Sequence, residues 1–322
     1  ILIGLQFLVV TKVHAQQENR TIQRDRQQLR QFARLNAANW LQDKKRADSL
    51  AYSQNLPVRY LDKNNRNVEL QRLGYRNRPV YYATDNVDAA RVISTDQVWT
   101  SEGGLPFLTG EGVEISVWDG GAVLGSHREF ADGEGSRILM RESELSESSH
   151  STHVAGTMAA SGVDEDARGM AGMARIFSWD YSNDLAEMAV AALEGIQVSN
   201  HSYGPLCGWY YNSNSEYWYW YGEPELSEDE DYNFGFYNEL SADVDYIAWS
   251  APHYLIVKSA GNDRNDVPSE QPVEHLVWDD AWVQSTLERD QDGGEDGYDC
   301  LTPRAVPKNI LTVGSVDDNR NL

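Results

Sequence analysis

From Gly110 onward, apolar runs that end in small or polar residues alternate with helix-patterned segments, and this alternation constrains the fold more than any other feature. The runs are Val113 to Asp119, Ala174 to Asp180, Ile196 to Tyr203, Tyr254 to Asn262 and Ile310 to Val316. Between them, Asn183-Asp184 opens a helix with Leu185, Met188, Ala189, Ala192 and Leu193 on one face and Gly195 as its stop. Leu240, Val244, Ile247, Ala248 and Ala251 pattern a second helix. Strands alternating with helices predict an α/β fold, a mostly parallel sheet with helices on both faces. In such sheets chemistry gathers at the carboxyl ends of the strands, which directs attention to Asp119, Ser202 and Asn262.

The chain before this region reads differently. Gln17 to about Gln54 is rich in Gln, Arg and Asn, with Ile22, Leu29, Phe32, Asn36 and Trp40 at mostly helical spacing, and predicts one amphipathic helix. Pro57 to Leu61 and Val68 to Leu70 read as a hairpin around Asp62 to Asn67, and Pro79 to Tyr82 as a further strand. This is a small α+β unit. Residues 16–98 carry 15 Lys+Arg against 9 Asp+Glu, whereas residues 99–322 carry 11 against 41. The charge shift and Gly103-Gly104 place a boundary near residues 83–100, and two units of opposite sign are able to dock electrostatically.

A net charge of −23 argues against nucleic acid as a ligand, because binding a phosphate backbone requires clustered Lys and Arg. Ile1 to Val10 is apolar but too short to span a bilayer, which takes about 20 residues. With small residues at Val13 and Ala15 it fits the end of a secretory signal, so residues 1–15 are expected to be a partial signal peptide and the protein to be secreted or extracellular. No transmembrane segment is expected.

Three short motifs carry the chemistry. Asp119 ends its run in Val117-Trp118-Asp119-Gly120-Gly121, where two glycines let other groups approach closely. His150 begins His150-Ser151-Thr152-His153-Val154-Ala155-Gly156-Thr157, a small-residue stretch that reads as a tightly packed helix. Asn262 ends Ser259-Ala260-Gly261-Asn262, a strand running into a turn. Each alone is more often structural than catalytic. Occurring together in this order, they resemble the subtilisin-like (subtilase) serine proteases, whose motifs are a strand-end Asp, His-Gly-Thr-His-Val-Ala-Gly and Ala-Gly-Asn. The resemblance covers roughly residues 99–322.

The resemblance implies a secreted serine endopeptidase precursor acting on polypeptides. Asp119 would orient and stabilise the imidazole, His150 would act as general base, and the Asn262 amide would donate to the oxyanion. Ser202-Tyr203-Gly204 resembles the strand whose backbone pairs with extended substrate. Residues 16–98 stand where the family carries a propeptide. His153 is implied to be a structural histidine of the motif. A zinc site on His150 and His153 lacks the spacing and intervening Glu of His-Glu-x-x-His, and a single Asp-Gly-Gly offers no partner for an aspartic dyad. No cofactor is required for the chemistry; structural Ca²⁺ on the acidic stretches Glu228 to Asp231 and Asp290 to Asp296 rests on the family habit.

Two departures from the family pattern stand out. Its Gly-Thr-Ser-Met-Ala nucleophile motif does not occur in these 322 residues, and Ser315 falls where the family has a small strand residue, so no nucleophile is assigned and the chain alone is expected to be inactive. Ser151 replaces the motif glycine. Trp209 to Tyr221 places eight aromatics in thirteen residues, readable as a cleft wall, a sugar-binding platform or a packed insertion. Cys207 and Cys300 are a candidate pair in an oxidising compartment. The alternative to the enzyme is a non-catalytic relative binding proteins or glycans; joint retention of Asp119, His150 and Asn262 favours the enzyme.

Overall fold

The computed structural model describes residues 2–61, 67–84, 108–164, 167–294 and 298–314, with side chains described from Arg26 onward except at residues 61, 67, 75 and 82–84. The boundary expected near residues 83–100, Gly103-Gly104 and Ser315 lie wholly or almost wholly outside them. Helix α1 (Leu2–Gln54) starts well before the expected Gln17, since no proline interrupts residues 2–16. No described helix is long and apolar enough to cross a membrane. Strands β1 (Arg59–Leu61), β2 (Asn67–Leu73) and β3 (Pro79–Thr84) then form an antiparallel meander, as the hairpin and strand signals predict.

The remaining chain builds β4 (Glu114–Asp119), β5 (Ile138–Met140), α2 (Ser149–Ala159), β6 (Arg175–Asp180), α3 (Asp184–Glu194) and β7 (Val198–His201). It continues through β8 (Tyr203–Pro205), β9 (Trp209–Asn212), β10 (Tyr217–Trp220), α4 (Glu239–Ser250) and β11 (Leu255–Ser259). Strands β12 (His275–Trp278), β13 (Trp282–Ser285) and β14 (Leu311–Val313) complete it. The central sheet has six parallel strands in the order β14-β11-β7-β4-β6-β5. Each apolar run supplied one of its strands; β5 alone was not foreseen.

Both faces of this sheet are covered, for a reason visible in β4. Successive side chains of a strand point to opposite faces. Val117 joins Val154, Ala155 and Ala159 of α2, while Trp118 joins Leu185, Met188 and Ala189 of α3 and Val244 and Ile247 of α4. Leu29 and Ala33 of α1 are buried in the α3/α4 layer. Across the sheet Trp118 is sandwiched between Trp179 and His201, with ring centroids 5.1 Å apart on each side. The Arg141 guanidinium caps the stack 5.0 Å from the Trp179 ring.

The aromatic tract is a packed insertion. Strands β9 and β10 belong to a second sheet, β13-β12-β10-β9, and Trp209 and Trp220 are fully buried. On its other side Tyr210 and Tyr221 close over Val68, Leu70 and Tyr81 of the N-terminal meander and Ala47 and Ala51 of α1. The two units therefore share a hydrophobic core. Arg76 adds ion pairs to Glu225 at 2.9 Å, Asp279 at 2.8 Å and Asp280 at 3.2 Å, but these carboxylates are 63–70% exposed. Exposed pairs contribute roughly 0–1 kcal/mol each, against about 1.5–3 kcal/mol for each fully buried large apolar side chain. Among these contacts burial outweighs charge, and Arg59 adds one pair to the buried Asp180 at 3.4 Å.

Candidate active site

Parallel order brings the predicted residues to one edge. Asp119 ends β4, Ser202 lies between β7 and β8, and Asn262 follows β11, so all three stand at the carboxyl ends of strands adjacent in the order β11-β7-β4. Asp119 shares the face of Val117, beneath α2, and is fully buried. Helix α2 begins at Ser149 because the Ser148 side chain accepts from the Ser151 amide at 3.2 Å. This cap puts His150 in the first turn, directly over Asp119.

His150 Nδ1 lies 2.8 Å from Asp119 Oδ1, and the histidine side chain is 10% exposed. The same carboxylate oxygen accepts from the Gly120 amide at 2.7 Å and the Ser151 hydroxyl at 3.0 Å. A carboxylate partner puts the imidazole proton on Nδ1, which makes Nε2 the basic nitrogen. Gly121, at φ 124°, lets the Ser146–Ser148 segment pass alongside: a Cβ there would sit 2.7 Å from the Ser146 carbonyl oxygen. His153 is exposed on α2.

Strand β8 contributes backbone rather than side chains. The Tyr203 ring turns inward, its hydroxyl donating to Asp184 Oδ2 at 2.6 Å and lying 3.1 Å from His201 Nδ1. Lys258, an almost fully buried lysine within the apolar β11 run, donates to the Tyr203 carbonyl and, at 3.0 Å, to Ser259 Oγ. Burial, and then the charges of Lys258 and Arg304, push His201 well below the ordinary histidine range, so it packs as a neutral ring. Sequence reasoning missed both residues; a lysine interrupting an apolar run was the available signal. Along β8, Tyr82, Ala83 and Thr84 of β3 pair antiparallel with Pro205, Gly204 and Tyr203. The N-terminal meander thereby continues into a four-stranded sheet, β1-β2-β3-β8. Ser202 Oγ accepts from Asn200 Nδ2 at 3.0 Å. Asn262 is exposed, just past Gly261 at φ 110°.

Other expectations are met differently. Cys207, buried, and Cys300, half-buried, are both free thiols. Among the described residues no group of three or more His, Cys, Asp or Glu is placed to hold a metal ion. Asp292, in the second acidic stretch, is buried and its carboxyl is pushed up to about 10, by desolvation first and then by the charge of Asp263. Beneath the site, Glu187 accepts from Trp118 Nε1 at 3.0 Å; burial and the nearby Glu142 push it up to about 9.

The parallel α/β sheet thus brings a buried aspartate and a histidine together at its strand ends. The Peptidase S8 profile, described as the subtilase family, matches residues 110–322, and the chain belongs to that family. Among solved structures it is similar to the CspB protease of Clostridium perfringens, at 18% identity over 55% of this chain and 40% of that one, with a TM-score of 0.35. MycP1 from Mycobacterium smegmatis is similar at 17% identity over 64% and 53%, with a TM-score of 0.33. The chain spans about half the length of these structures. No curated protein matches it.

Proposed function

We propose that this chain carries the acid–base half of a secreted serine endopeptidase that cleaves polypeptides with an Asp-His-Ser triad. The observation that supports it most directly is the 2.8 Å contact between His150 Nδ1 and the buried Asp119. In this reading His150 Nε2 takes the proton of a serine hydroxyl, Asp119 stabilises the imidazolium, and the Asn262 amide donates to the oxyanion. No serine of these 322 residues is assigned the nucleophile's role in this reading. Export rests on the signal-like composition of residues 1–15.

Residues 16–98 act as a propeptide in the same reading, supported by the pairing of β3 on β8. An extended substrate would use the backbone of Ser202, Tyr203 and Gly204, and β3 already occupies that strand. The N-terminal unit therefore inhibits while docked.

The test is expression of the gene continued past the codon for Leu322, assayed on a denatured protein and with a fluorophosphonate probe. Hydrolysis and labelling that both vanish in His150→Ala support the reading. A longer product that folds but neither labels nor hydrolyses overturns it in favour of the binding relative.

A further inference from the structure

A cavity of about 360 Å³ lies between the N-terminal unit and the family-matched part, within the size range of small-molecule sites. One wall comes from α1, β2 and the residues leading into β3; the other includes the start of α3, Leu206 and Arg304. None of Asp119, His150 and Asn262 lines it.

The N-terminal wall is rich in hydrogen-bond donors. Trp40 Nε1, Gln71 Nε2, Arg72 Nε and Arg78 Nη1 are all buried, and none meets a hydrogen-bond acceptor among the described residues. Gln71 and Arg78 are only 3% and 6% exposed. Buried guanidinium groups are ordinarily paired. Asp184, a carboxylate of the other wall, is already engaged by Arg304 Nη2 at 2.9 Å, the Leu185 amide at 2.7 Å and the Tyr203 hydroxyl at 2.6 Å. Asp43, Glu239 and Asp243 also line the cavity, and none of them pairs with Arg72 or Arg78. The donor set thus comprises two cations, an indole N–H and an amide, with no anion among the described residues paired to them.

We propose that this cavity binds a small ligand through an oxyanion group, carboxylate or phosphate, held by Arg72, Arg78, Gln71 and Trp40. Guanidinium N–H pairs match both oxyanions in geometry and charge. Because the donors come from one unit while Asn183, Asp184 and Leu206 of the other close the space, the ligand binds only the docked arrangement and stabilises it. This holds whether or not the catalytic reading stands.

The experiment titrates the purified chain, dialysed into chloride buffer, with inorganic phosphate and separately with citrate at constant pH and ionic strength, by calorimetry and thermal melting. The expected result is one saturable site for at least one probe, with a melting temperature above that of the chloride control. Phosphate-only binding identifies a phosphate source, citrate-only binding a carboxylate source. Arg72→Gln and Arg78→Gln each weaken it by about tenfold or more, while Arg76→Gln, at an exposed ion pair of the same unit, leaves it unchanged. Absence of saturable binding by either probe, or affinity unchanged in both cavity variants, overturns the proposal. Should the variants fail to fold, crystals of the unaltered chain soaked in selenate decide it: anomalous density between Arg72 and Arg78 supports the site, and ordered water alone overturns it.

Discussion

Ser151 Oγ donates to Asp119 Oδ1 at 3.0 Å, the same oxygen that His150 Nδ1 meets at 2.8 Å. The serine stands where the family motif has glycine, and it is fully buried. Its hydroxyl shares the negative charge on which the imidazole depends. In Ser151→Ala one of three donors to that oxygen is lost, leaving His150 and the Gly120 amide to share its charge, and the Nδ1–H proton resonance is expected to move downfield in NMR spectra of the chain. Loss of a buried hydrogen bond to a carboxylate lowers stability by about 1.5–3 kcal/mol, readable in urea unfolding. An unmoved resonance would show that Ser151 fills space and nothing more.

Asp119→Asn keeps the shape but reverses the preferred imidazole tautomer, since the amide is able to donate toward Nδ1. In the complete enzyme proposed above, turnover is expected to fall about 10⁴-fold. In the chain itself the downfield Nδ1–H resonance is expected to disappear. Retained turnover in a folded variant would remove Asp119 from the mechanism.

Much of this was legible because it is local. Asp119 closes an apolar run before two glycines, His150 opens a small-residue helix, and the parallel order of β11, β7 and β4 then brings Asn262 to the same edge. What was not legible depends on distant partners. The composition of Tyr210 and Tyr221 says only that they want burial, and Val68, Leu70 and Tyr81 cover them from the other unit. The direction of the Ser151 hydroxyl follows from where Asp119 lies beneath α2, which no local pattern encodes. Opposite charge on the two units suggested electrostatic docking, yet the seam is mainly apolar.

That apolar seam predicts weak salt dependence. Hydrogen exchange at the β3 amides is expected to change little between 0.05 and 1 M salt, a range over which the Debye length shortens from more than about 10 Å to about 3 Å. Tyr81→Ala, which removes a buried ring from the shared core, is expected to accelerate that exchange and to cost about 3–5 kcal/mol in unfolding free energy. Exchange that rises steeply with salt would restore charge as the main force.

Gly121→Ala tests the close approach beside the site. The backbone φ of 124° is strained for alanine, and the new Cβ would meet the Ser146 carbonyl at 2.7 Å and Ser148 Cβ at 3.1 Å. Ser148 caps α2, so the strain reaches the turn that carries His150. A loss of roughly 1–3 kcal/mol in urea unfolding is expected, with the His150 resonances shifted. Unchanged stability would mean that the Ser146–Ser148 segment yields freely.

Asp292 gives the chain a pH dependence of definite sign. Its carboxyl is pushed up to about 10 in the fold, against an ordinary value of 3.8 in the unfolded chain. Between these values the folded state holds a proton that the unfolded state has released, so stability from this group is full below about pH 4 and is lost as pH rises toward 10. A single such group gives a slope of about 1.4 kcal/mol per pH unit. Asp292→Asn mimics the protonated form and keeps an oxygen to accept from the Trp209 amide, now at 2.9 Å. Urea unfolding at pH 5 and pH 9 is expected to show a clear loss of stability at the higher pH in the unaltered chain, and a smaller loss in Asp292→Asn. Equal losses in the two proteins would mean that Asp292 is ionised in the fold and that its charge is met by groups other than Trp209.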